Sequence, residues 1–271
     1  MINRILFSMM ILSNLMGQKD TVSTAPDSPY YLSKRMDLPL AAVSAGLLIG
    51  AELVPVTPLT EEDIHVLDKE SISDFDYSAT ENWDENSIAT SDLLLYSSIG
   101  FPAILLIDKS IRQDYKKFVS IWAETFALTY GLTNMTKVLV SRERPYLYGT
   151  GEGSADMEHK LEDDNQRSFF SGHTSLSAAS WFMMASMYQD YHPESKLAPY
   201  IWATAYLVPA ATGYYRYDAG KHFLSDVLAG YFIGRAIGVM VPRWHKKSSR
   251  VDVGLMLLPN GQPGVQLTYR Y

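Results

Sequence analysis

Six apolar stretches run through the chain: Leu38–Val56, Asp92–Ile107, Phe118–Val140, Thr174–Tyr188, Leu197–Tyr215 and Phe223–Val241. They are rich in Ala, Leu, Met, Trp and Tyr, and none alternates strictly between apolar and polar residues. Their length and lack of alternation predict helices rather than strands. An acidic run, Thr57 to Ser91, separates the first two and is expected as a solvated loop with a short helix. A second polar loop, Tyr146 to Arg167, holds three glycines and several acids. The tail has a different pattern. Val251–Leu258 and Val265–Tyr271 flank Pro259-Asn260-Gly261-Gln262-Pro263-Gly264. Asn-Gly between two apolar runs predicts a C-terminal β-hairpin.

At the N-terminus, Arg4 precedes the apolar run Ile5 to Gly17, and polar Gln18, Lys19 and Asp20 follow. That order of charge, apolar stretch and small residue reads as an export signal, with an uncleaved anchor helix as the alternative. The expected organisation is therefore a signal or hydrophobic segment over 1–17, a polar linker over 18–37, a helical domain over 38–242, and a basic tail with the hairpin over 243–271.

Charge placement bears on whether the helices cross a membrane. If all six span, the basic groups Lys34–Arg35, Lys109–Lys117 and Arg243–Arg250 fall on one side, as the positive-inside rule asks. Against this, most charge-free runs fall short of the about 18 residues that a span needs. Glu52, Glu124, Asp226 and Arg235 interrupt them, and mean hydropathy is −0.07. Spanning helices and the buried helices of an exported globular domain both remain open at this point.

Composition narrows the chemistry. The chain has 271 residues, enough for a single large core, and carries a net charge of −7. That balance argues against a nucleic-acid partner, so any anion site must be a local basic cluster. There is no cysteine, which excludes thiolate metal sites and cysteine nucleophiles. The acidic run lacks the pattern of a calcium loop.

Three short motifs sit where loops meet helices. In the first, Lys137 and Arg144 lie seven residues apart and Pro145 follows. Two helical turns separate them, so they are expected to share a face; the ordinary alternative is a solvated cationic helix end. In the second, Ser171-Gly172-His173 runs into an apolar helix. A helix N-terminus favours an anion, Gly172 allows close backbone approach, and His173 is placed to give a proton. The ordinary alternative is an N-cap made by Ser171 or Thr174. In the third, Arg216 precedes His222 and Asp226, which are at i and i+4. A carboxylate bonded to one imidazole nitrogen fixes the tautomer and frees the other nitrogen to attack. A structural His–Asp pair is the alternative.

Together the three motifs resemble the type 2 phosphatidic acid phosphatase family, which shares its site with the vanadium haloperoxidases. The family pattern is Lys-x6-Arg-Pro, then Pro-Ser-Gly-His, then Ser-Arg-x5-His-x3-Asp. Here it is met by Lys137, Arg144 and Pro145, by Ser171, Gly172 and His173, and by Arg216, His222 and Asp226. Phe170 stands where the motif has proline, and Tyr215 where it has serine. The resemblance implies an all-α six-helix core of the acid phosphatase/haloperoxidase type. It also implies that His222 attacks phosphorus, that Asp226 orients it and that His173 protonates the leaving oxygen. Lys137, Arg144, Ser171, Gly172 and Arg216 would hold the phosphate, with no metal and no cofactor.

The expected partner is a phosphorylated lipid or small phosphate ester. Envelope lipids lead: undecaprenyl pyrophosphate, lipid A or phosphatidic-type lipids, at a bacterial inner membrane with a periplasm-facing site. A soluble periplasmic acid phosphatase is the runner-up, followed by a vanadium haloperoxidase and a non-catalytic helical scaffold. Arg142, Tyr146, Tyr214, Tyr215 and Tyr217 flank the motifs as candidate substrate contacts. His65, His159, His192 and His245 stand in polar contexts and are expected to have no role.

Overall fold

The computed structural model describes residues 28–151, 153–247, 251–257 and 263–269. The expected export signal over 1–17, the start of the 18–37 linker and the Asn260-Gly261 turn lie outside the described residues. The fold is all-α, as the apolar stretches predict. Six long helices carry it: α1 (Lys34–Leu53), α2 (Glu85–Gly100), α3 (Tyr115–Val140), α4 (Gly172–Tyr191), α5 (Ala198–Asp218) and α6 (Leu224–His245). After α6, strands β1 (Val251–Leu257) and β2 (Pro263–Tyr269) pair antiparallel, with Val251 opposite Tyr269.

Local chemistry sets the helix ends. The Asp84 side chain accepts from the Asn86 amide at 2.9 Å and starts α2 seven residues before the apolar stretch Asp92–Ile107 begins. Asp92 therefore lies inside a helix. The first helix starts at Lys34, inside the stretch expected as a polar linker. Ser171 caps α4, accepting from the Thr174 amide. The α3 helix stops at Ser141, which takes a left-handed conformation (φ 46°).

The centre of the molecule is α4, which packs against α2, α3, α5 and α6, while α1 lies on α3. Nearly every α4 residue from Thr174 to Met187 is buried, so the helix is enclosed on all sides, and its hydroxyls bond inward, Ser177 to Ser98 at 2.8 Å and Ser175 to Thr133 at 3.1 Å. The contact with α6 is unusually close. A Cβ placed on Gly230, Gly234 or Gly238 would come within 2.6, 2.1 and 2.4 Å of the carbonyl oxygens of Ser171, Ser175 and Ala179. Only glycine fits there, and the four-residue spacing lets the two backbones touch. Lys34–Leu53, Glu85–Ile107 and Leu224–His245 are long and apolar enough to cross a membrane. Large apolar side chains stand exposed on them, including Ile49, Leu53, Leu93 and Phe232.

The acidic run departs from expectation. It folds into short helical turns over Glu61–His65, Asp74–Tyr77 and Ser78–Glu81, and Asp76 is buried.

Candidate active site

All nine motif residues named from the sequence lie where α3 and α5 end and α4 and α6 begin. Lys137 is in the last turn of α3. Its ammonium lies beside Gly172: a Cβ on that glycine would be 3.9 Å from Lys137 Nζ and 3.3 Å from Thr133 Cγ2. Arg144 does not continue the helix. The expectation of a shared helical face with Lys137 is corrected, because α3 ends at Val140 and Arg144 is extended. Its guanidinium is instead placed by loop contacts. Arg144 Nε donates to the Asp164 carbonyl at 2.9 Å, one Nη to the Lys221 carbonyl at 2.7 Å, and the other to Asp164 Oδ2 at 2.5 Å.

Arg216 sits in the last turn of α5, buried, with one Nη 3.3 Å from Ser91 Oγ and 3.8 Å from Asp92 Oδ1. The chain then turns through Gly220 at φ 65°, where a Cβ would meet the Asn82 carbonyl oxygen at 2.1 Å. That turn delivers Lys221 and His222 to the site. His222 is 1% exposed, and its Nε2 is 3.4 Å from Arg144 Nη1.

Asp226 is 3.7 Å from His222 Nδ1, and that nitrogen has no hydrogen-bond partner. The direct hydrogen bond expected from the i, i+4 spacing is therefore not made. The carboxylate is held by others. Its Oδ2 accepts from Ser168 Oγ at 2.5 Å and from the Phe223 amide at 2.9 Å, capping α6. Its Oδ1 accepts from Arg142 at 2.6 Å. Arg142 also bonds Asp76 Oδ2 at 2.9 Å and stacks on the Phe223 ring at 3.9 Å. Two buried carboxylates thus share one guanidinium, which offsets the cost of burying them.

His173 has a partner that the motifs did not single out. Its Nε2 is 2.6 Å from Asp92 Oδ1. Asp92 thereby links His173 to Arg216. Lys221 is a further addition: it donates to Glu162 Oε2 at 3.0 Å and lies 4.5 Å from the centre of the Tyr146 ring. With Asp164 on Arg144 and Glu162 on Lys221, the loop over 146–167 places carboxylates against the cations.

The electrostatics follow from burial among like charges. Burial, then Arg144, Lys137 and Arg216, push the His222 imidazole well below its ordinary value. Burial and Arg216 push His173 down to about 4, against the pull of the Asp92 hydrogen bond. Burial raises the Asp164 carboxyl, but Arg144 and Lys221 more than offset it and hold it below the usual carboxylate range. Such a set of cations around two imidazoles suits an oxyanion with charge spread over several oxygens. The described residues whose geometry suits a metal ion, Asp37, Glu124 and His245, lie elsewhere.

No curated protein and no solved structure matches the chain. A family model does: residues 118–250 match the PAP2 superfamily, a span that contains all nine motif residues. Through that span, with its cations and paired histidines at one end of the helices, the chain belongs to the PAP2 superfamily.

Proposed function

We propose that this protein, a phosphatase-type hydrolase by its superfamily, cleaves phosphate monoesters or pyrophosphates of envelope lipids through a phosphohistidine on His222. The observation that carries the reading is the convergence of His222, His173, Arg144 and Arg216 with Lys137 at one junction of four helices. His222 Nε2 attacks phosphorus while its Nδ1 faces the Asp226 carboxylate at ion-pair distance. The P–O bond to the leaving group breaks, and His173 gives that oxygen its proton. Water then gives a proton back to His173 and attacks phosphorus, the P–N bond breaks, and phosphate and His222 are released. Lys137, Arg144 and Arg216 neutralise the non-bridging oxygens, helped by Ser171 and the Gly172 amide at the start of α4. Phosphoryl transfer asks mainly for positioning and charge neutralisation, and three cations supply both without a metal.

The depressed His222 imidazole agrees with a nucleophile that is neutral in use. Three helices of spanning length, with the site beside their ends, favour a lipid substrate presented from a bilayer. A soluble broad-specificity acid phosphatase of the periplasm is the second reading. It is favoured by α3, α4 and α5, which are not among the helices apolar enough to span.

The distinguishing experiment is phosphate release by the purified chain, in the presence of a chelator, from detergent-dispersed phosphatidic acid and lipid pyrophosphates against soluble monoesters. Preference for the lipids is expected. Preference for soluble esters favours the second reading, and loss of activity with chelator, at a temperature where the stripped chain is still folded, contradicts the metal-free chemistry.

A further inference from the structure

At the end of the helices away from the phosphate site, three ionisable side chains meet in the core. Asp37 is in the first turn of α1, Glu124 in the middle of α3, and His245 the last residue of α6. They are 6%, 1% and 0% exposed. Thirteen residues of α3 separate Glu124 from Lys137, which is about 20 Å at 1.5 Å per residue. The cluster is therefore distinct from the site that the motifs build.

Its hydrogen bonding is incomplete in a specific way. His245 Nδ1 lies 2.8 Å from the Val241 carbonyl, its natural acceptor one turn back. That bond directs Nε2 into the cluster, where Asp37 Oδ1 is 3.2 Å away and Glu124 Oε2 3.1 Å away. A single N–H on Nε2 can serve one of them, and it is aligned with Asp37. Both Glu124 oxygens are left buried with no hydrogen-bond partner. A buried carboxylate without donors is costly.

A cation at the centre resolves this. The three ligand atoms all lie within 4.8 Å of one another. Metal–ligand bonds of about 2.0–2.2 Å in a tetrahedron place ligand atoms about 3.3 Å apart, close to the 3.1 and 3.2 Å found around His245 Nε2. An imidazole that donates its other nitrogen to a backbone carbonyl is in the arrangement typical of a metal-bound histidine. Two carboxylates and a neutral imidazole carry two negative charges, which a divalent ion cancels. One nitrogen ligand among the oxygens selects a transition ion over magnesium or calcium.

We propose that Asp37, Glu124 and His245 form a structural site for a divalent transition-metal ion of the Zn2+ or Mn2+ kind. The ion ties α1, α3 and α6 together at the end remote from catalysis. It takes no part in phosphate chemistry, so the proposal stands apart from the function proposed above. The segment before α1 reinforces the same junction: the Tyr31 amide donates to the His245 carbonyl at 2.9 Å.

The test uses the full chain in detergent, stripped with chelator and dialysed against ZnCl2 or MnCl2 separately. Metal analysis is expected to return about one ion per chain. A free-ion concentration of about 100 times Kd is expected to raise Tm by roughly 5–10 °C. The variants Glu124→Gln and His245→Gln are expected to lose both effects. Pulsed EPR of the Mn2+-loaded wild-type chain is expected to show imidazole nitrogen coupling, and this readout holds even if a variant fails to fold. Wild-type protein that takes up neither ion and shows no change in Tm overturns the proposal. So does retention of the ion by both variants, or Mn2+ bound without nitrogen coupling.

Discussion

Asp92 shows how a single side chain changes the chemistry of its neighbour. Burial and Arg216 lower the His173 imidazole to about 4, and the Asp92 carboxylate opposes them. In the proposed mechanism a bound phosphate dianion adds to Asp92 by cancelling Lys137 and Arg216, which would raise the proton affinity of His173 as the acid. The sign is then fixed. A protonated His173 is present below its pKa in the complex, so activity falls on the alkaline side of that value. Removing the Asp92 charge lowers the pKa, and the alkaline limb moves to lower pH. For Asp92→Asn, kcat at neutral pH is expected to fall by about tenfold or more, with that displaced limb in the kcat profile. An unchanged profile would show that Asp92 only packs. Both histidines, the three clustered cations and Asp226 are legible in the sequence, because the family spacing is local along the chain. It did not reveal Asp92, Asp76 or Lys221 as members. Asp92 lies 81 positions from His173, and the pairing arises only when α2 packs on α4. An acid at the head of an apolar stretch is the available signal. His245 is hidden from the sequence for a related reason: its polar neighbours along the chain are not its neighbours in space.

At the scale of elements, the site depends on how closely α4 and α6 approach. Ser171 and His173 begin α4, Asp226 begins α6, and the Ser171 amide donates to the Asp226 carbonyl at 3.1 Å. The glycines at 230, 234 and 238 permit that contact. For Gly234→Ala, the new methyl would meet the Ser175 carbonyl oxygen at 2.1 Å, so the helices must part. A cost of about 1–3 kcal/mol is expected, read as a lower Tm together with lost phosphatase activity. Gly46→Ala is the control, since nothing lies within 4 Å of its added methyl; it is expected to keep the wild-type Tm. Equal stability of the two variants would contradict the close-packing account. The six apolar stretches were legible as helices because their length excludes strands. Their ends were less so. Capping by Asp84 and the left-handed Ser141 decide them, and neither lies in the apolar pattern.

For the molecule as a whole, the surroundings of its helices follow from what they expose. Exposed apolar side chains stand on the three helices of spanning length and on α3 and α5 as well, and the motif residues gather at one end of the helices. A chain built this way is expected to stay with the membrane pellet after an alkaline carbonate wash and to leave only with detergent. Release by carbonate alone would place the helices in a soluble core. Sequence left these two states balanced, because charge-free runs are short although basic residues cluster on one side. Packing resolves half of the conflict: Glu124 and Asp226, which interrupt the apolar runs, are turned inward, whereas Glu52 is exposed and Arg235 half-buried.

The central claim is that His222 carries the phosphoryl group, and one measurement addresses it most directly. Phosphate release by His222→Ala is compared with the wild-type chain, folding of the variant being verified by its Tm, at equal substrate and with chelator present. The account expects turnover at the background of the uncatalysed reaction. Activity within about tenfold of wild type, a difference of only about 1.4 kcal/mol in the barrier, would contradict it.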